Sequence, residues 1–220
     1  MGDVPDLETA RRWWEGGERA VARALQHLTD DELRGPSALP GWTRAHVAAH
    51  LARNADALVN LCTWARTGVE TPMYPSREAR DAGIAQTAAE PADRLRTDVR
   101  DAAARLAEVV AVMPPEAWRR PVRSGQGRTV AAGEIPWMRA KEVWVHGIDL
   151  DAGLAFADVP ADALAALVDD VLALFASRDQ LPDVTFVATD LDRTWCSGVA
   201  RVEGPVASIA GWLTRSRTDG

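Results

Sequence analysis

What most limits the fold of this chain is a three-to-four-residue apolar period that recurs between Leu7 and Asp149. From Leu7 to Leu28 the stripe is Trp13, Trp14, Val21, Leu25 and Leu28. Thr43 is an N-cap for a second stretch carrying Val47, Leu51, Leu58 and Leu61, which fades at Thr67-Gly68. A third starts near Pro91 and runs through Leu95, Val99, Leu106 and Val110 to Met113, where Pro114-Pro115 stops it. Pro136 suits the first turn of a fourth, from Trp137 to about Asp149. Such helices bury their stripes most simply against one another, so a four-helix bundle is the expected packing. Thr29-Asp-Asp-Glu32 reads as a capping box opening a short helix. Residues 69–85, with Pro72 and Pro75, read mostly as a long loop, and Arg119 to Gly133 as irregular chain.

The pattern changes after Gly153. Pro160 to Phe175 reads as a fifth helix, with Leu164, Leu167, Val171, Leu174 and Phe175 inward. Short β-rich runs follow at Val184–Ala188, Arg193–Cys196 and Val199–Val202, and Gly204-Pro205 opens a last helix to Leu213. The expected fold class is therefore α+β overall, with a four-helix bundle over residues 1–153 and a small α+β domain over 154–220.

Composition narrows the function. A net charge of −7 argues against nucleic acid as partner. No apolar run reaches the ~20 residues of a membrane helix, and the N-terminus has neither the basic nor the apolar region of a secretory signal. Cys62 and Cys196 share no metal-type spacing and read as buried thiols, so a reducing cytoplasm is the expected setting. Lys141 is the only lysine beside many arginines and alanines, which suggests a GC-rich genome. The nine tryptophans read as the aromatic part of the core.

Histidine is scarce, and its placement carries the chemistry. His27 ends the first helix, where a cation suits the dipole. His46 and His50 are four apart on the second helix, and Glu142 and His146 four apart on the fourth. If those helices are neighbours, two imidazoles and a carboxylate can share one ion, the set of a catalytic zinc with one position left open. Isolated spacing of this kind is common on solvated helices. Here, however, Glu142 and His146 sit in the apolar run Glu142-Val-Trp-Val-His146, and His50 lies between alanines and a leucine. Buried carboxylate and imidazole need a partner, and one ion would satisfy all three. Other templates fail: there is no His-Glu-x-x-His, no phosphate loop and no Gly-x-Ser-x-Gly, and Gly125-Gln-Gly127 has neither the preceding strand nor the third glycine of a dinucleotide loop.

Two segments carry a resemblance. LPGWTRAHVAAHLARNADAL (residues 39–58) and IPWMRAKEVWVHGIDL (residues 135–150) resemble the mycothiol-dependent maleylpyruvate isomerases, within the DinB-like metalloenzyme superfamily, and the likeness extends over nearly the whole chain. The resemblance implies a DinB-like bundle holding a divalent metal, usually zinc, at His50, Glu142 and His146. It implies mycothiol as thiol cofactor, isomerisation of maleylpyruvate to fumarylpyruvate in gentisate breakdown, and arginines for the substrate in the middle loop and near the C-terminus. Arg80 matches the first. The tail offers Arg215 and Arg217 for the second, one of which is expected to close over the substrate pocket, with Arg217 taken as the candidate. His50, Arg80 and Arg217 thus form the expected catalytic set. His46 is expected near the pocket without touching the metal, and Asp149 or a backbone carbonyl to orient His146.

The chemistry is coherent. A carbon–carbon double bond rotates only if made single for a moment, and a thiolate adding to the activated alkene does this. A bound metal keeps a free thiol ionised near neutral pH, and guanidinium forks suit a dicarboxylate. The same scaffold would serve a thiol S-transferase. A non-catalytic metal-binding protein is a third reading, which predicts a closed or absent metal site.

Overall fold

The computed structural model describes residues 5–215. These form two compact units, one of residues Asp6–Leu154 and a smaller one beginning at Ala155.

In the larger unit α1 (Leu7–His27) starts at Asp6, whose carboxylate accepts from the backbone N–H groups of Glu8 and Thr9. The short α2 (Asp30–Arg34) has the capping box of Thr29 and Glu32. Next comes α3 (Arg44–Thr67), capped by Thr43 and ended by Gly68 at φ 78°, the left-handed conformation glycine adopts without strain. Then follow α4 (Arg77–Ala88), α5 (Ala92–Ala111) and α6 (Ile135–Asp149), with a proline in the first turn of α6. The bundle is α1, α3, α5 and α6: α1 packs along α6, and α3 packs on both α5 and α6. Buried residues lie on nearly every face of α3, as its central place requires. Trp13, Trp14, Trp137 and Trp144 belong to this core, whereas Trp212 of the smaller unit is 43% exposed. Trp144 ties α6 to α1 by donating its indole N–H to the Trp13 carbonyl at 2.8 Å.

Two segments differ from expectation. Part of the long loop is the helix α4, which has little apolar period because Ile84 is its only large buried side chain. Ser76 starts it, accepting from the Ala79 N–H at 3.1 Å. The segment expected to be irregular holds an antiparallel hairpin, β1 (Pro121–Arg123) and β2 (Thr129–Ala131), with buried Val122 opposite buried Val130.

The smaller unit contains α7 (Ala161–Ser177), β3 (Val184–Ala188), β4 (Arg193–Trp195), β5 (Ala200–Gly204) and α8 (Val206–Arg215). The sheet order is β4-β3-β5, with β4 antiparallel and β5 parallel to β3. Helices α7 and α8 pack together, and buried Phe186 of β3 meets the Trp212 ring at 5.4 Å. No helix among the described residues is long and apolar enough to cross a membrane.

Candidate metal centre

The packing of α3 on α6 brings together residues far apart in the chain. His50 Nε2 lies 2.9 Å from Glu142 Oε2, and His146 Nε2 lies 3.5 Å from the same oxygen. Ligand atoms of His50, Glu142 and His146 all fall within 4.8 Å of one another. The two imidazoles meet edge to face, with centroids 4.5 Å apart. A tetrahedral site with bonds of ~2.0–2.1 Å has ligand–ligand edges of roughly 3.3 Å. Three donors at these separations therefore fit one small divalent ion with little movement.

Burial pushes the Glu142 carboxyl up, but the His50 hydrogen bond, the His146 and His50 charges and Arg139 outweigh it and hold the pKa at about 2. The carboxyl is therefore ionised at any ordinary pH. Burial lowers the His50 pKa, and the hydrogen bond and charge of Glu142 oppose this. His146 is oriented from behind. Its Nδ1 donates to Oδ2 of Asp149 at 2.8 Å, which leaves the Nε2 lone pair toward Glu142. Asp149 is 2% exposed.

His46 does something else. Its Nδ1 lies 2.7 Å from the Thr43 hydroxyl and 3.3 Å from the Thr43 N–H, so the ring completes the cap of α3. It is not in the cluster of metal-type ligands or among the residues lining the cavity beside it. His27 bonds the Arg23 carbonyl at the end of α1.

The cavity beside the cluster has a volume of about 690 Å³. His50 and Glu142 form one wall, Tyr74 and Arg80 another, and the β1–β2 turn, Ser124 to Arg128, a third. Arg80, in α4, brings a guanidinium nitrogen to 3.4 Å from His50 Nδ1 and stands over the Tyr74 ring at 5.9 Å. Arg77, Arg123, Arg128 and Lys141 also line the cavity, against the acidic Glu70 and Glu142, so it suits an anionic ligand. Neither the hairpin nor Tyr74 is expected at the site from the sequence. A readable signal was the pair of short alternating runs, Pro-Val-Arg and Thr-Val-Ala, on either side of Gly125-Gln-Gly127.

Arg217 lies outside the described residues. Arg215 ends α8, with its guanidinium 5.6 Å over the Phe156 ring. Cys62 is buried in α3, and burial pushes its thiol up to about 12, so it is protonated and a poor nucleophile at neutral pH.

The family described as mycothiol maleylpyruvate isomerase N-terminal domain matches residues 14–151. Two crystal structures, of a mycothiol-dependent maleylpyruvate isomerase and of a histidine-to-alanine mutant of it, superpose with a TM-score of 0.91. Each is 34% identical, and the match covers 98% of this chain and 92% of theirs. Uncharacterized proteins from two strains of Mycobacterium tuberculosis are 30% identical over 133 residues, 57% of this chain and 49% of each relative. The chain spans about half the length of the curated relatives it matches.

Proposed function

Since the chain belongs to the mycothiol maleylpyruvate isomerase family, we propose that it converts maleylpyruvate to fumarylpyruvate with mycothiol as its thiol and a divalent metal, zinc, held by His50, Glu142 and His146. The observation that carries the reading is the clustering of those three side chains, two of which, His50 and Glu142, line a cavity rich in cationic side chains. They do so in a chain that superposes at 0.91 on a mycothiol-dependent maleylpyruvate isomerase. On this reading the reaction belongs to gentisate breakdown and takes place in the cytoplasm.

When bound, the ion supplies the charge that keeps a thiol ionised near neutral pH, and the thiol supplies the reversible addition that lets a double bond rotate. The protein's own part is to hold and to orient. His50 and His146 present ring nitrogens, Glu142 brings the negative charge, and Asp149 keeps the His146 ring turned. Arg80, beside His50, offers a planar fork to a substrate carboxylate. The arginines of the α4 start and of the hairpin favour entry of a dianion. Arg217 keeps the substrate-binding role that the sequence resemblance gives it. A protonated, buried Cys62 supports an external thiol as the nucleophile.

The test is elemental analysis of the purified protein followed by assay of maleylpyruvate with and without mycothiol. One zinc per chain and turnover only with the thiol are expected. Turnover without any thiol would refute the reading, and release of an S-conjugate would assign the site to thiol transfer.

A further inference from the structure

One turn beyond His50, α3 places Asn54 on the wall of the same cavity. Its side chain is buried, with the residue only 3% exposed. Arg139 Nη1 donates to Asn54 Oδ1 at 2.9 Å. A guanidinium has donors only, so this contact fixes which end of the amide is oxygen. The NH2 group is the end left for the cavity, and no hydrogen bond occupies it among the described residues.

Arg139 is held as firmly as the amide. It is fully buried, its Nε donates to Glu18 at 2.8 Å, and its Nη1 also donates to the Leu51 carbonyl at 2.8 Å. Glu18 accepts in addition from the Trp14 indole at 2.8 Å. Taking a guanidinium out of water costs several kcal/mol, and apolar residues of the same volume commonly serve stability as well. What apolar residues would not do is hold an amide one turn from His50 with its donor end outward.

We propose that Asn54 contacts the substrate: its side-chain NH2 donates a hydrogen bond to a carboxylate or keto oxygen of a small dicarboxylate seated beside His50, with Arg139 and Glu18 fixing its orientation. The proposal rests on the reading of this cavity as the site of an anionic substrate. The cavity's charged donors, Arg80 among them, also select a ligand rich in acceptor oxygens. An acceptor in place of the NH2 would face that ligand with like polarity.

The test is Asn54→Asp, which keeps the oxygen held by Arg139 and turns the donor into an anionic acceptor. Two readouts are used: KM and kcat for maleylpyruvate with mycothiol, and calorimetric affinity for maleate without thiol. The expected result is a ~10–100-fold rise in KM and a matching loss of maleate affinity, with kcat, zinc content and Tm close to wild type. Asn54→Ser, whose hydroxyl falls short of the cavity, should lose affinity in the same direction and carries the measurement if Asn54→Asp does not fold. Unchanged maleate affinity in the folded variants overturns the proposal, as does wild-type protein that binds no maleate. Loss of zinc together with activity would make Asn54 a support for the metal ligands and overturns it too. If wild type fails to turn over maleylpyruvate yet its maleate affinity still collapses on Asn54→Asp, the isomerase reading falls and the Asn54 contact stands.

Discussion

Asp149 gives the sharpest test of how the proposed centre is built. Its carboxylate accepts from His146 Nδ1 at 2.8 Å and is almost wholly excluded from water. Replacing it with alanine takes away the acceptor at His146 Nδ1 and the negative charge behind the ring. Loss of such a partner typically weakens metal binding 10–100-fold, about 1.4–2.7 kcal/mol. Asp149→Asn can still accept through its carbonyl oxygen but without the charge. A charge-assisted bond is about twice as strong as a neutral one, so roughly half the loss is expected, about 0.7–1.4 kcal/mol or ~3–10-fold. The order of zinc affinity should be wild type, then Asp149→Asn, then Asp149→Ala. Competition against a chromophoric chelator measures it directly. The zinc-induced rise in Tm should shrink in the same order, because binding to the folded state alone stabilises in proportion to the logarithm of affinity. Comparing the metal-free proteins separates packing loss from ligand loss. Wild-type zinc affinity in Asp149→Ala, with a normal zinc-induced rise in Tm, would refute the orienting role.

Three further outcomes are expected. Arg139→Ala empties a fully buried position and takes the guanidinium from half-buried Glu18, the Leu51 carbonyl and Asn54, which should cost about 3–5 kcal/mol and lower Tm by roughly 10 °C or more; a melt within 2–3 °C of wild type would contradict this. Gly17→Ala gains ~1 kcal/mol of helix propensity, yet a Cβ there would sit 2.3 Å from Val143 Cγ2 where α1 meets α6. Overpacking of about 1–3 kcal/mol should win, so Tm falls, and a rise would show that α6 can move aside. Cys62, with its pKa raised from 9.0 to about 12 by burial, should resist alkylation at pH 8 until the protein unfolds. The folded state keeps that proton while the unfolded chain releases it above about 9. The resulting stability is present below pH 9 and declines between 9 and 12, which chemical unfolding across that range would reveal.

What could be read from the sequence, and what could not, follows the range of the physics involved. The bundle helices were legible because apolar period, caps and proline stops act within a few residues, as at Thr43, Gly68 and Pro136. The cluster of His50, Glu142 and His146 was visible because two of its members are one turn apart in an apolar run and the third is a polar residue in another. The helix α4 was missed because it lies over the site with one large apolar contact, and tertiary packing, not a stripe, keeps it helical. The hairpin was missed because two three-residue strands carry only one buried valine each. Asn54 and Arg139 are the instructive case. Arg139, Glu142 and His146 are spaced three and four apart on α6, so an arginine on the face of two site residues could have been read from the sequence. Its partner could not, since the amide it orients is 85 residues earlier on α3. Spacing tells which residues share a face. Which end of an amide is left for a ligand depends on what another helix donates to it, and that is settled only when the two helices pack.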